Sequence, residues 1–237
     1  MARPSGTGWP AASDARVDIV RVCRRLWERG LIAGPDGNVS VRIAADRLLV
    51  TPAGMSKLDV QPDDLVELGL DGRKRSGRLE ASTEVGMHVR IYEQRPDVGA
   101  VVHAHPPTAT AFAVAGEDFM AAVLPEVIFQ MGQVPLVPYA TPGTPELADA
   151  MEPALADHDA FLLANHGATT CGPTLLLAHQ RMESLEHAAR ILLAARQLGR
   201  VNALTADQVA ALLEARTRAG LDVPAPLDAD EQGRRSE

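Results

Sequence analysis

Residues 98–107, VGAVVHAHPP, read as a buried strand that ends in two histidines, His103 and His105. Side chains alternate along a strand, so these two imidazoles point to the same side and lie close enough to share a metal ion. Pro106 and Pro107 end the strand directly after the pair, which places both rings beside a loop. Two histidines on the solvent face of an edge strand would give the same pattern. The segment therefore leaves a metal site and an exposed histidine pair as alternatives.

A third histidine follows a second apolar run. Residues 160–164, AFLLA, predict another buried strand, and Asn165, His166 and Gly167 come directly after it. His166 would then occupy a strand end, as His105 does. Three imidazoles at adjacent strand ends make a tripod that suits Zn²⁺ and leaves one coordination position open for a substrate.

Composition limits the classes of protein to which the chain can belong. It has 237 residues, of which 46% are apolar, and this is enough to bury a substantial core. We expect one domain over residues 13–220, between a disordered leader at 1–12 and a disordered tail at 221–237. The formal net charge of −8, without a long basic run, argues against a nucleic-acid partner.

The expected location is the cytoplasm. No apolar run approaches the roughly 20 residues of a membrane span, and the first residues lack the apolar stretch of a signal peptide. Cys23 and Cys171 are interpreted as buried thiols, which suits a reducing compartment.

Apolar periodicity and turn residues predict the other elements. Expected helices cover residues 13–30, 81–94, 108–115, 145–155, 174–199 and 205–219, and expected strands cover 39–43, 48–51, 65–70, 125–132 and 134–139. On the longest helix, His179, Glu183 and His187 fall on one line, and we interpret them as surface or interface residues.

Two glycine-containing loops flank the predicted hairpin. Residues 34–40, GPDGNVS, lead into it, and residues 51–57, TPAGMSK, follow it. Backbone N–H groups and the Asn38 amide could hold an anion there, while plain turn chemistry explains the same residues without a ligand. The helix near Ser82 offers hydroxyls and free N–H groups at its start, and these favour a phosphate.

Glu84 and His88 lie four residues apart on this same helix. An acidic residue in a first turn is ordinary helix stabilisation. The pair is therefore either a set of ligands or two neighbours without a shared role.

Six motifs occur in the order and spacing of the class II aldolase/adducin superfamily. The chain resembles the L-fuculose-phosphate aldolases of that superfamily most closely, over nearly all of residues 13–200. The motifs are Gly37-Asn38-Val39-Ser40, Thr51-Pro52-Ala53-Gly54, Ser82-Thr83-Glu84 with His88, residues 101–105, residues 138–144, and Asn165-His166-Gly167.

The resemblance implies a fold, a cofactor and an assembly. The fold is a three-layer α/β/α sandwich around a mainly antiparallel sheet, and the assembly is a C4 homotetramer with active sites at subunit interfaces. Zn²⁺, or another divalent metal, occupies each active site. By the same resemblance His103, His105 and His166 would bind the metal, Glu84 would be the acid/base, and Gly37, Asn38, Gly54, Ser82 and Thr83 would bind the substrate phosphate.

The implied activity is that of a zinc-dependent aldolase. Such an enzyme cleaves a ketose 1-phosphate, fuculose-1-phosphate-like or a deoxypentulose phosphate, into dihydroxyacetone phosphate and an aldehyde. The metal would stabilise an enediolate, and Glu84 would move a proton to and from its carbon. A sister reaction stays open: sugar-phosphate 4-epimerisation, 3-oxo-tetronate 4-phosphate decarboxylation or methylthioribulose-1-phosphate dehydration. A non-catalytic, adducin-like interaction module is a further alternative, against which the complete set of three histidines and Glu84 argues.

Two positions depart from the fuculose enzymes. Phe129 stands where a tyrosine from a neighbouring subunit helps to protonate the aldehyde-side oxygen, and a phenyl ring cannot donate a proton. Ala53 replaces a phosphate-binding threonine. Tyr139 is interpreted either as a substitute donor or as a packed strand residue. The bond that is cleaved and the second product therefore stay open.

Overall fold

The structure, a computed structural model, describes residues 8–117 and 122–221. Residues 1–7 of the expected leader and 222–237 of the expected tail lie outside the described residues. The strands are β1 (Asn38–Ala44), β2 (Arg47–Val50), β3 (Val66–Gly69), β4 (Lys74–Ser76), β5 (Ala100–Ala104), β6 (Leu136–Val137), β7 (Ala160–Leu163) and β8 (Gly167–Gly172). The α-helices are α1 (Ala12–Glu28), α2 (Val85–Gln94), α3 (Pro107–Ala115), α4 (Pro125–Gln130), α5 (Pro145–Leu155), α6 (Leu175–Gln197) and α7 (Ala206–Arg218).

The eight strands form one sheet in the order β4-β3-β2-β1-β5-β8-β7-β6. Only β6 and β7 run parallel, and the other neighbouring pairs are antiparallel. The register places Asn38 opposite His103 on one side of β5 and Thr169 opposite His103 on the other. The histidine strand is therefore central, with a ladder of hydrogen bonds on both of its edges.

Helices cover both faces of this sheet. Val102 packs into an apolar core with side chains of α1, α3 and α6, while its neighbour Val101 packs into a second core with side chains of α2 and α5. Consecutive residues of a strand point to opposite faces, so an uninterrupted apolar run such as the one in β5 requires cover on both sides. The expected three-layer α/β/α sandwich around a mainly antiparallel sheet is confirmed. Within the described ranges no helix is both long and apolar enough to cross a membrane.

Helix α2 starts later than expected. The segment before it pairs with the chain that leaves β2: the Ser82 N–H donates to the Thr51 carbonyl at 3.2 Å, and Pro52 and Ala81 form a β-bridge. This pairing keeps the backbone extended, so the helix begins at Val85, and Ser82 lies in the preceding turn instead of at the helix cap.

The expected strand over residues 125–132 is wrong. Residues Pro125–Gln130 form α4, with proline in the first turn and Gly132 at φ +68° just beyond the end. Proline at a helix start and glycine after a helix end are the usual boundaries of a helix. The strand expected over 134–139 shrinks to β6, which leaves Tyr139 outside the sheet and 61% exposed.

Two further features differ from the expectation. Strand β8, GATTCG, was not predicted at all, although it pairs with β5 along five residues. On α6, we interpreted His179, Glu183 and His187 as surface or interface residues. His187 is exposed, whereas His179 is buried at 1% exposure.

Candidate active site

Three imidazoles meet where β5 ends and the chain turns from β7 into β8. The ring centroids of His103 and His166 are 4.7 Å apart, and each of these rings is 5.1 Å from the ring of His105. One ligand atom of each residue lies within 4.8 Å of the other two. The structure thus brings together the three histidines that the sequence predicts as ligands.

The geometry of this cluster fits a tetrahedral metal ion. The Nε2 atoms of His103 and His105 are 3.2 Å apart, and two nitrogens on a tetrahedral zinc ion are separated by about 3.3 Å. The Nδ1–H group of His103 donates to the Ala168 carbonyl at 3.0 Å, so the lone pair is on Nε2, which faces the cluster. Burial lowers the pKa of His103 well below its usual value, which keeps the ring in the neutral form that binds metals.

The second histidine of the strand is oriented by two other segments. The backbone N–H of His105 donates to the Leu31 carbonyl at 3.0 Å, and its Nδ1 lies 3.5 Å from a carboxylate oxygen of Asp36. A carboxylate on the outer nitrogen of a metal-ligating histidine commonly fixes the orientation of the ring. Burial lowers the pKa of His105 as well.

The turn that carries His166 explains the Asn-His-Gly motif. Asn165 has φ +56°, a left-handed conformation that asparagine tolerates better than most residues. A Cβ on Gly167 would lie 2.6 Å from the Ala104 carbonyl oxygen and 2.6 Å from Cδ2 of His105. Only glycine allows β8 to approach β5 this closely at the end that carries the three histidines.

Glu84 faces the three-histidine cluster from the start of α2. One carboxylate oxygen is 3.0 Å from Nε2 of His166, and the other is 3.4 Å from Nε2 of His103 and accepts from the Asn38 amide at 2.8 Å. Burial raises the pKa of Glu84, but the hydrogen bond and charge of His166, the charge of His103 and the Asn38 amide outweigh it and lower the pKa to about 2. The side chain is therefore an ionised carboxylate, the form that accepts a proton.

The segments predicted to bind phosphate lie next to this carboxylate. Gly37 has φ +72°, and a Cβ on it would be 2.8 Å from the His103 carbonyl oxygen, so its loop packs against the end of β5. Asn38 is buried and directs its amide N–H to Glu84, and its amide oxygen has no hydrogen-bond partner within the part of the chain that the structure describes.

The other predicted phosphate residues approach from the second loop. Ser82 is hydrogen-bonded to Thr51, which places it beside the turn that contains Gly54. Thr83 packs against Gly143, where a Cβ would lie 3.4 Å from the Thr83 side chain. A cavity of about 260 Å³ is lined by Thr83, Glu84 and the starts of α2 and α5.

A larger cavity of about 550 Å³ is lined by Val41, Gly99 and Pro173, near the opposite ends of the central strands. None of the predicted site residues lines it.

His88 takes no part in the cluster. It is buried, its Nδ1 lies 2.7 Å from the Ser40 hydroxyl, and burial lowers its pKa to about 4. Of the two alternatives for Glu84 and His88, the contacts favour neighbours with separate partners.

Sequence reasoning missed two polar residues near the site. Asp36 contacts His105, and Lys57 is buried at 2% exposure in the loop after β2. Both residues belong to the glycine loops singled out in the sequence. Their contacts arise from tertiary packing, which the sequence does not show. The only signal in the sequence was a charged residue within each turn.

Comparisons with known proteins agree with this geometry. The family model of the class II aldolase and adducin N-terminal domain matches residues 17–193. The chain is 35% identical over 181 residues to the 3-oxo-tetronate 4-phosphate decarboxylase of Escherichia coli K12, covering 75% of this chain and 85% of the relative. It is 35% identical over 199 residues to the 5-methylthioribulose-1-phosphate/5-deoxyribulose-1-phosphate aldolase of Rhodospirillum rubrum, covering 84% and 89%.

A solved structure of L-fuculose 1-phosphate aldolase superposes with a TM-score of 0.82 at 29% identity, over 90% of this chain and 100% of the other. Three findings lead to one conclusion: the family model matches most of the chain, two relatives are similar in sequence, and the fold is shared. The chain belongs to the class II aldolase and adducin family, as a metal-dependent enzyme.

Proposed function

We propose that the protein cleaves the bond between the α and β carbons of a phosphorylated keto sugar derivative, counted from its carbonyl group, and releases dihydroxyacetone phosphate. The observation that carries this proposal is the ionised carboxylate of Glu84, which lies 3.0 and 3.4 Å from two histidines of the cluster. A carboxylate beside a metal site can exchange a proton with a carbon that the metal makes acidic.

His103, His105 and His166 would hold the metal, which we propose to be zinc because imidazole ligands suit it. When bound, zinc supplies a positive charge that stabilises the negative charge developing on the substrate oxygens. Glu84, ionised at rest, would first take up a proton from water and then deliver it to the substrate carbon from which the bond has broken. The Asn38 amide holds one oxygen of Glu84 at 2.8 Å, which keeps the carboxylate in a fixed orientation for this transfer.

The phosphate group positions the substrate. In this proposal it is bound by backbone N–H groups at Gly37 and Gly54, by the Asn38 amide, and by the hydroxyls of Ser82 and Thr83. Support comes from the hydrogen bonds that hold Asn38 against Glu84 and Ser82 against Thr51. A phosphate anchored beside Glu84 places the neighbouring carbonyl carbon close to the three histidines.

Decarboxylation of a 3-oxo-tetronate 4-phosphate is the first candidate reaction. Carbon 1 leaves as CO₂, its bonding electrons pass into an enediolate over carbons 2 and 3, and a proton on carbon 2 completes dihydroxyacetone phosphate. No proton moves at the leaving group, so no donor is needed at the position of Phe129. This residue belongs to α4, where its carbonyl accepts a hydrogen bond from Arg216 at 2.6 Å. The Escherichia coli relative carries the name of this reaction.

Aldol cleavage of a ketose 1-phosphate, the reaction expected from the sequence, is the second candidate. It passes through the same enediolate and leaves the same three-carbon product. The Rhodospirillum rubrum relative supports it, since its name describes such a cleavage. In contrast to decarboxylation, it requires removal of a hydroxyl proton on the leaving side, which Phe129 cannot assist.

The test supplies each substrate to the zinc-loaded protein and measures dihydroxyacetone phosphate with a coupled NADH-dependent dehydrogenase. We expect the 3-oxo-tetronate 4-phosphate to yield one CO₂ per dihydroxyacetone phosphate, and Glu84→Gln to lose at least about 100-fold in rate. Product from 5-deoxyribulose 1-phosphate alone would select the aldol reaction. If neither substrate gives product above the Glu84→Gln background, the proposed function is wrong.

We also propose the C4 homotetramer that the resemblance implies. Val17 and Trp27 on α1 and Leu176 on α6 are exposed at 57%, 43% and 57% in the single chain. Burial of such side chains at a subunit interface would remove apolar area from water. Light scattering should give four times the chain mass of 25.2 kDa. A mass equal to one chain would exclude the tetramer.

A further inference from the structure

Lys57 stands apart from the other cationic residues near the proposed site. The chain contains two lysines, Lys57 and Lys74. Lys74 lies on the edge strand β4 and pairs with Glu80 at 2.8 Å, whereas Lys57 is 2% exposed. A lysine is almost never fully buried without a specific partner, so its position requires an explanation.

The ammonium group of Lys57 joins the two glycine loops. It donates to the Pro35 carbonyl at 2.7 Å and to the Met55 carbonyl at 3.0 Å. Pro35 lies two residues before Gly37, and Met55 directly follows Gly54. One side chain therefore connects the backbones of both loops that we propose to bind the phosphate.

The positive charge of Lys57 has no directly paired anion. Among the described residues, no carboxylate oxygen lies within 4.0 Å of its Nζ. Burial lowers the pKa of Lys57, while the electrostatic effects of Cys23, Asp36 and Glu84 act in the opposite direction. Two carbonyl oxygens solvate the ammonium but do not neutralise it, and its charge acts on the loops around it.

The phosphate of the proposed substrate needs such a charge. A phosphate monoester carries roughly −1.5 to −2 at neutral pH, and the five residues proposed to contact it are neutral donors. The carboxylates of Glu84 and Asp36 lie in the same region, and the whole chain has a formal net charge of −8. The other buried cations are engaged elsewhere. Arg181 and Arg216 pair with Asp159, and Arg42 donates to the Tyr92 carbonyl at 2.7 Å.

We infer that Lys57 is the cationic element of the phosphate-binding site, where it clamps the two glycine loops together and supplies positive charge that attracts the substrate phosphate. The inference rests on the proposed function, because it takes the loops at Gly37 and Gly54 as the place where the phosphate binds. It adds to that function a residue whose charge selects anionic substrates.

The first test follows Lys57 directly in the zinc-loaded wild-type protein. Labelling with lysine carrying ¹³C at Cε gives two NMR signals, and Lys74→Met removes one of them and so assigns the other to Lys57. We titrate inorganic phosphate at constant ionic strength and expect the Lys57 signal to shift saturably while the Lys74 signal stays in place. A Lys57 signal that does not move when calorimetry shows phosphate bound would overturn the inference.

The second test separates charge from packing. Lys57→Met keeps most of the side-chain volume and removes the charge, so we expect inorganic phosphate to bind at least about tenfold more weakly. Lys57→Arg keeps the charge and should bind within about threefold of wild type, and Lys74→Met, the matched control, within about twofold. Equal losses in Lys57→Met and Lys57→Arg, or none in either, would contradict a role of the charge. If Lys57→Met does not fold, the titration of the wild-type protein still decides.

The outcome for Lys57 is separable from that of the proposed reaction. A saturable shift of the Lys57 signal without turnover of either substrate would support the anion site and reject the reaction. Turnover at wild-type KM in folded Lys57→Met would support the reaction and reject the role of Lys57.

Discussion

Gly167→Ala perturbs the end of the sheet that carries the three histidines through a single added methyl group. The new Cβ would lie 2.6 Å from the Ala104 carbonyl oxygen, 2.6 Å from Cδ2 of His105 and 3.4 Å from Cε1 of His103. Unstrained contacts of this kind are about 3.5 Å, so two of the three overlap by roughly 0.9 Å. The carbonyl belongs to the central strand β5 and cannot retreat without breaking its ladder.

Relief of this overlap requires that β5 and β8 separate or that the ring of His105 turn away. Overpacking of this size destabilises a protein by about 1–3 kcal/mol. A displaced ligand weakens metal binding by about 10- to 100-fold, as loss of an orienting partner does. We therefore expect both a lower free energy of unfolding and a lower zinc affinity in Gly167→Ala.

The assay is competition for zinc against a chromophoric chelator, followed by urea unfolding with and without zinc. Gly86→Ala is the matched control, because it lies in α2 and a Cβ there meets nothing within 4 Å. The control should keep wild-type zinc affinity and gain about 0.5–1 kcal/mol in stability. If Gly167→Ala holds zinc within twofold of wild type, the close approach of β8 does not position the histidines.

Two further predictions concern buried polar groups. The Glu186 carboxylate caps α3, because it accepts from the N–H groups of Thr108 and Ala109 in the first turn at 2.9 Å each. Glu186→Ala should therefore lower the free energy of urea unfolding by about 1–3 kcal/mol. A change below about 0.5 kcal/mol would show that α3 does not need this cap. Burial lowers the pKa of His88 from 6.5 to about 4. Between these two pH values the unfolded chain binds a proton at His88 that the folded protein does not bind. The free energy of unfolding therefore falls by roughly 3 kcal/mol as the pH drops from 6.5 towards 4. His88→Gln should lose this part of the pH dependence in urea unfolding at pH 4.5 and 7, and an unchanged difference between the two pH values would count against it.

The three-histidine cluster was accessible to sequence reasoning because its signals are local. Alternation along an apolar strand puts His103 and His105 on one side, and a second apolar run places His166 at another strand end. That the strands lie side by side required either the family resemblance or the structure, since β8 separates β5 from β7 in the sheet. Local pattern and fold together brought these three histidines into one cluster, and their role as metal ligands stays a prediction.

Other features depend on contacts between distant parts of the chain. Ser82 carries a good helix-cap side chain, yet its backbone pairs with Thr51, which delays α2. The segment 125–132 was predicted as a strand, whereas the structure has a helix at Pro125–Gln130 with proline in its first turn and Gly132 after its end. Lys57 and His179 are polar residues buried by the packing of other elements, and no periodicity of the sequence reveals this.

The central claim is that three histidines hold a catalytic metal, and elemental analysis of the purified protein tests it most directly. We predict about one divalent ion per chain in the wild-type protein, with zinc as the main element, and loss of most of it in His103→Ala. Circular dichroism should show that both proteins are folded. A wild-type protein that contains no metal and takes up none from supplied zinc would contradict the account.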